Sequence, residues 1–412
     1  MNGTHIRERS KLVVLDANFY WAEQLFSAYN TYADILLIRP TDFRAFKKRY
    51  GKYFIDTIPK KVAAKVWEQR ICCLPGWLFH YWRITQFFLY QLIRRFQSGE
   101  PLIFVFSYPY YSTLAKSLGG YSIYYAIDDY QDYWPGRQSQ TIEQEGRAIA
   151  TANLILCTSK YRLSYLKKQH PDHASRMVHI PHGCSPEFIV DDVLGSPLKL
   201  PQALQRYELN ESNPVAGYIG ALNYRFDFCL LADVAEKLPE VSFVLGGKPP
   251  VESDGSSAWW LGVRRCKELS NITFVGFVPH EQLGQYLQSF DVLLMMYSSC
   301  NFNTNACPTK LWDYMGTSLP IVANSTVPEV LLWQDFIHVA QTPVQYIAAI
   351  QKALSNPEWK AKERLQVAND NTWKEQARKL HETIHLMTTT ASRSIGSRNH
   401  LLSLASHEQT AS

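Results

Sequence analysis

The stretch VAGYIGALNYRFDFCLLADVAEKL, residues 215–238, decides the fold. Its opening run, VAGYIGAL, is apolar at consecutive rather than alternate positions, the pattern of a strand covered on both faces. Gly220 then allows a tight turn, and from about Asp227 the apolar residues return at helical spacing. Strand, glycine turn and helix in that order are the opening of a parallel β-α-β unit.

The same alternation recurs along the 412 residues. In the first half the apolar runs are KLVVLDA (11–17), ADILLIRP (33–40), PLIFVFSYP (101–109), YSIYYAID (121–128), ANLILCTS (152–159) and MVHIPHG (177–183). SFVLGG (242–247), ITFVGFV (272–278), DVLLMMY (291–297) and LPIVANS (319–325) follow in the second half, with helical stretches such as HEQLGQYLQSF between them. The predicted fold is therefore α/β, with two Rossmann-like, doubly wound parallel-sheet domains and an interdomain cleft. Residues 184–213 are rich in Pro, Ser and charge and mark the break. This predicts a first domain over 1–190, a linker over 191–213, a second domain over 214–387 and a loose Ser/Thr-rich tail over 388–412.

Composition narrows the function. A hydrophobic share of 46% with 19% charged residues describes a chain with a large core. The formal net charge of +5 does not demand a nucleic-acid partner. Eight cysteines without a C-x-x-C pair fit reduced thiols in a cytoplasmic protein better than a disulfide framework or a zinc site. The N-terminus lacks the apolar core of a signal peptide, and the most hydrophobic window, 71–96, is broken by Pro75, His80, Arg83 and Gln86.

The chemistry concentrates in ACPTKLWDYMGTSLPIV, residues 306–322. Pro308 suits the first helical position and Gly316 the end of the helix. Leu311 and Met315 share a core face, whereas Lys310 and Asp313, three residues apart, share another. Free N–H groups of the first turn, beginning at Thr309, together with the Lys310 amine, suit a diphosphate. Asp313, one turn on, suits a ribose diol. Phosphate followed by ribose is the order in a nucleotide-sugar. The alternative is a solvated ion pair worth a few tenths of a kcal/mol. Gly220 and Arg225, at the carboxyl end of their own strand, add a second phosphate-binding element, and GGKPP (246–250) and GFVPHEQL (276–283) fall at the same end.

The pieces LILCTSKYRLSYL, HIPHG, GYIGALNYRFD, NITFVGFVPHEQLGQYLQSFDVLLMMY and PTKLWDYMGTSLPIVANSTVPEV, in that order over residues 150 to 330, resemble the donor domain of B-fold glycosyltransferases, especially the large family 4 of bacterial saccharide synthesis. By that resemblance Lys310 is the phosphate-binding lysine, Asp313 grips the ribose, and Gly220 with Arg225 lines the diphosphate. The backbone at Phe277 and Val278 then meets the base. The resemblance implies a UDP- or GDP-sugar donor and a saccharide or lipid-linked saccharide acceptor. No metal is expected, because Lys310, Arg225 and the helix terminus would hold the charge that a metal otherwise neutralises, and the modest net charge calls for no nucleic-acid partner. One departure stands out. The family commonly carries a second acid eight residues before the ribose-binding one, and here that position is Asn305. Retention and inversion of the sugar's configuration both stay open.

The first half matches less. YYAIDDYQDYW (124–134) places Asp128 and Asp129 at the carboxyl end of a predicted strand, where one of them could deprotonate an acceptor hydroxyl. They could equally cap the next turn, and a third reading makes them metal ligands. His182 reads as a turn residue. From Arg44 to Phe96, Lys/Arg-rich sequence precedes a cluster of aromatics that includes Trp77, Tyr81, Phe87 and Phe88. This is either a core helix with a basic face or a surface for an anionic membrane. The sequence thus points to a glycosyltransferase on the cytoplasmic side of a membrane. A sugar-nucleotide epimerase on the same fold, or a non-catalytic membrane-associated scaffold, would share most of these features.

Overall fold

The structure is a computed structural model describing residues 10–51, 58–134, 136–191, 204 and 212–389. The chain divides into two units. One gathers residues up to Cys157, then Tyr165–Ile180 and the chain from Trp373; the other gathers Thr158–Ser164 and Pro181–Thr372.

The first unit is built on β1 (Ser10–Leu15), β2 (Ala33–Asp42), β3 (Lys60–Ala63), β4 (Val66–Cys73), β5 (Leu102–Phe106), β6 (Tyr121–Ala126), β7 (Leu154–Cys157) and β8 (Met177–His179). They form one sheet in the order β3-β4-β2-β1-β5-β6-β7-β8, parallel apart from the β3–β4 hairpin. Leu12, Val14, Ile35, Leu37, Ile103 and Val105 are almost wholly buried. At about 1.5–3 kcal/mol per buried aliphatic side chain, such strands hold together only with both faces covered.

The second unit uses β9 (Val215–Ile219), β10 (Ser242–Gly246), β11 (Ile272–Gly276), β12 (Val292–Met295), β13 (Ile321–Ala323) and β14 (His338–Val339), in the order β11-β10-β9-β12-β13-β14. Every pairing in it is parallel. The two doubly wound sheets predicted from the apolar runs are present.

Three features differ from the sequence reading. The hairpin β3–β4 extends the first sheet through residues read only as an aromatic and basic region. The last described helix, over 373–389, belongs to the first unit rather than the second, because Trp373, Ala377, Leu380 and Ile384 form a stripe at helical spacing buried in the first unit's core. The helix expected at Pro308 runs over Thr309–Gly316, with Pro308 just outside it and Gly316 as its last residue, not a left-handed cap. Glycine is required at 316 for contact instead: a Cβ there would overlap the Cys184 sulfur and lie 3.0 Å from the Phe188 carbonyl oxygen. The predicted tail lies almost wholly outside the described residues, as does most of the predicted linker.

Candidate active site

In the second sheet the chain leaves β9 toward β10 on one side and later returns to β12 on the other. The order therefore reverses between β9 and β12, and the carboxyl ends of the strands at such a point are the usual ligand position in a doubly wound sheet. Backbone bonds draw three strand ends together there: Gly220 N–H donates to Gly246 O at 2.7 Å and Gly247 N–H to Gly276 O at 2.7 Å.

Lys310 reaches this point. Its amine lies so close to the Gly220 Cα that a Cβ at 220 would collide with the end of the lysine side chain. The same amine stands 5.2 Å from the centre of the Tyr218 ring. Arg225, in the loop between β9 and the helix Phe228–Ala235, stacks its guanidinium on Phe302 at 4.4 Å, while its Nε donates to Asn223 Oδ1 at 3.4 Å. That helix starts where expected, with Asp227 accepting from Leu230 N–H at 2.9 Å. Two cations and a bare glycine backbone thus meet at one strand end. Burial, and after it the neighbouring Arg225 charge, pushes the Lys310 amine down to about 8, against a weaker opposing pull from Asp313.

Asp313 takes a different direction from its expected partner. No ion pair joins Lys310 to Asp313, so the surface-pair alternative is not what the helix forms. The Asp313 carboxyl accepts the Ser185 backbone N–H, and burial, aided by Glu187, raises it to about 8 despite that bond and Lys310. Glu187 in turn meets His280 Nε2 at 3.2 Å. Glu187 and His280, with Glu281, Gly284, Gln285 and Gln288, border a groove of about 410 Å³. Ser185 and Glu187 were not identified from sequence; they fall within the predicted first domain, 1–190, whereas the structure places them in the second unit.

The remaining donor-side candidates separate. Thr309 opens the Lys310 helix and is half-buried. Phe277 is 75% exposed at the end of β11, whereas Val278 is turned inward beneath Gly246. Asn305 is buried, and its amide donates to Asn301 O at 3.1 Å, inside its own helical turn. A second amide, Asn303, was missed. It donates to Arg225 O at 3.0 Å and Ser298 O at 2.8 Å and so holds the Arg225 loop against the end of β12.

In the first unit Asp128 and Asp129 follow β6 and are both buried. Asp129 accepts from Gln131 through both oxygens and caps the turn Tyr130–Asp132, as the turn alternative expected. Asp128 accepts the Tyr133 hydroxyl at 2.6 Å. Half-buried Phe19, Phe79, Tyr108, Tyr133 and Trp134 pack around this turn: Trp134 meets Tyr108 at 5.3 Å, Phe79 at 5.6 Å and Tyr133 at 5.9 Å. Arg137 covers Phe79 at 4.2 Å and borders a polar groove of about 600 Å³ with Gly136, Gln138, Ser139 and Gln140. Sequence reasoning also missed Asp16 at the end of β1. It is fully buried with φ +65°, accepts from the Tyr111 hydroxyl at 3.3 Å, and is raised to about 8 by burial.

Among the described residues no group of three His, Cys, Asp or Glu side chains is placed to hold a metal ion, and no helix is long and apolar enough to cross a membrane. No family model matches the chain. It is 22% identical over 306 residues, 69% of either chain, to a Bacillus subtilis protein named as a teichuronic acid biosynthesis glycosyltransferase, TuaH. Among solved structures, Anabaena Alr3699/HepE in complex with UDP and glucose superposes with a TM-score of 0.65 at 13% identity, over 90% of this chain and 98% of that one. A glycosyltransferase from Rickettsia africae superposes with 0.64 at 10% identity, over 92% and 98%. The chain therefore has the two-domain architecture of the B-fold glycosyltransferases and resembles one named glycosyltransferase in sequence along most of its length.

Proposed function

We propose that the protein is a metal-independent glycosyltransferase that moves a sugar from a UDP-sugar to a hydroxyl of a saccharide carried on a lipid. The observation that carries this reading is the Lys310 amine seated on Gly220 beside Arg225, at the reversal point of the second sheet. The likeness to a UDP-bound structure supports uridine over guanosine in the donor. Lys310 and Arg225 would neutralise the departing diphosphate, where negative charge grows in the transition state. Asp313 would accept the ribose hydroxyls, with Thr309 beside the phosphates and Asn305 shaping the loop before the helix. The backbone at Phe277 and Val278 would meet the uracil.

On the acceptor side we assign proton removal to Asp128 if the reaction inverts, since Gln131 engages both oxygens of Asp129. Aromatic faces around that turn suit the apolar face of a sugar ring. None of the eight cysteines is disulfide-bonded, which supports a reducing, cytoplasmic setting.

The test combines calorimetric titration with UDP and a turnover assay with labelled UDP-sugar. Lys310→Ala should lose turnover and most UDP affinity while melting as the wild type does; unchanged binding would overturn the donor assignment. Asp128→Asn should keep UDP affinity and lose turnover. An epimerised donor formed without any acceptor would point to the epimerase instead.

A further inference from the structure

The helix Trp82–Gln97 of the first unit is apolar on two sides. Leu89 and Ile93 face inward and are buried. Ile84, Phe87 and Phe88, at positions i, i+3 and i+4, face outward and are 55%, 60% and 64% exposed. Leu74 and Tyr81, just before the helix, are exposed as well. Single exposed apolar residues need no explanation, but a contiguous group of this size does.

The charged side chains within two helices of this unit have one sign. The helix contains Arg83, Arg94 and Arg95 and no acid. A second helix, Phe43–Tyr50, bears exposed Arg44, Lys47, Lys48 and Arg49 and again no acid. It leaves the end of β2 at Asp42, which is in register with Cys73, the residue preceding Leu74. The cationic helix and the apolar patch therefore start from the same end of two adjacent strands.

We propose that this face docks on an anionic lipid bilayer, with Ile84, Phe87 and Phe88 entering the headgroup–acyl boundary and the flanking arginines and lysines at the lipid phosphates. A second copy of the chain is the poorer occupant, because a two-fold contact through this patch would set like charges against each other. The inference deepens the acceptor side of the reading above, since a lipid-borne acceptor lies at such a surface, but it does not depend on the donor pocket.

The experiment is co-sedimentation of the full chain with vesicles of phosphatidylcholine alone or with about one quarter phosphatidylglycerol. The chain should pellet with the anionic vesicles, weakly with neutral ones, and less as salt rises. Phe87→Ser/Phe88→Ser should reduce partitioning by about tenfold or more, and Lys47→Ser/Lys48→Ser should weaken it with a shallower salt dependence, while both keep the wild-type UDP affinity. Wild-type protein left in the supernatant with anionic vesicles would overturn the proposal. So would equal partitioning of the phenylalanine variant, or a dimer in sedimentation velocity that this variant dissolves without any vesicle binding. Failure of UDP binding in all forms would remove the donor assignment and leave the vesicle result standing.

Discussion

The Lys310–Asp313 helix predicts how nucleotide affinity follows pH. In the free protein burial and Arg225 hold the Lys310 amine at about 8. A diphosphate placed against it favours the ammonium form, so above that value binding must take up a proton. One pH unit above the free value about nine-tenths of the amine is neutral, and affinity falls by about 1.4 kcal/mol, or tenfold, per further unit. Asp313 acts in the opposite sense. Burial raises it to about 8, and a carboxylate that accepts ribose hydroxyls must first ionise, so affinity rises as pH climbs toward that value. A phosphate's own second ionisation, near 6, is already about nine-tenths complete at pH 7 and adds little across this window. Calorimetry with UDP from about pH 7 to about pH 9.5 should therefore give an optimum near 8. Lys310→Arg keeps its charge throughout and should abolish the alkaline fall, and Asp313→Asn should flatten the rise below the optimum. Identical alkaline limbs in wild type and Lys310→Arg would refute the reasoning, as would an affinity that ignores pH.

Gly220→Ala places a methyl group against the Lys310 side chain; the flexible lysine end can yield, so the melting temperature should hold while UDP affinity drops at least about tenfold in calorimetry. Asn303→Ala takes the side-chain donor from Ser298 O and one of two donors from Arg225 O, which keeps the Ser298 N–H at 2.9 Å, and should cost about 1–3 kcal/mol in urea denaturation. Asp16 tests the first unit: its carboxyl rises from 3.8 to about 8 on folding, so its ionisation opposes folding increasingly across that interval and no further above it. Asp16→Asn should therefore gain on the wild type by up to about 3 kcal/mol between pH 5 and pH 7, read from urea midpoints at the two values, and parallel profiles would show that Asp16 is not buried as an acid.

Much of the architecture is legible because a parallel strand buried on both faces announces itself as an unbroken apolar run, as in LVVL and ILLI. The hairpin β3–β4 escaped because all four residues of β3 are exposed, and β4 mixes Glu68, Gln69 and Arg70 with its apolar residues. Glu68 is held there by Arg70, two residues along the strand, and by Arg39 at 3.0 Å, a partner that sequence alone does not bring to it. Lys310 and Gly220 could be paired in advance because a lysine at a helix start and a glycine at a strand end share one geometry in this fold. Asn303 and Ser185 could not. Their roles depend on which loop returns beside them, and no spacing encodes that. Asp16 carried a faint signal, an acid directly after a buried strand, but its left-handed backbone is a property of the folded turn.

The helix over 373–389 has a bearing on how the molecule is made. Trp373, Ala377, Leu380 and Ile384 complete the hydrophobic interior around β1, β2 and β5, and His381 stacks on Tyr32 at 4.0 Å. The first sheet is translated before the second unit, yet its greasy side stays unsealed until the helix that follows the second unit has been made. The second unit, contiguous apart from Thr158–Ser164, can mature before that closing segment arrives. The unit begun first is therefore sealed after the unit that follows it.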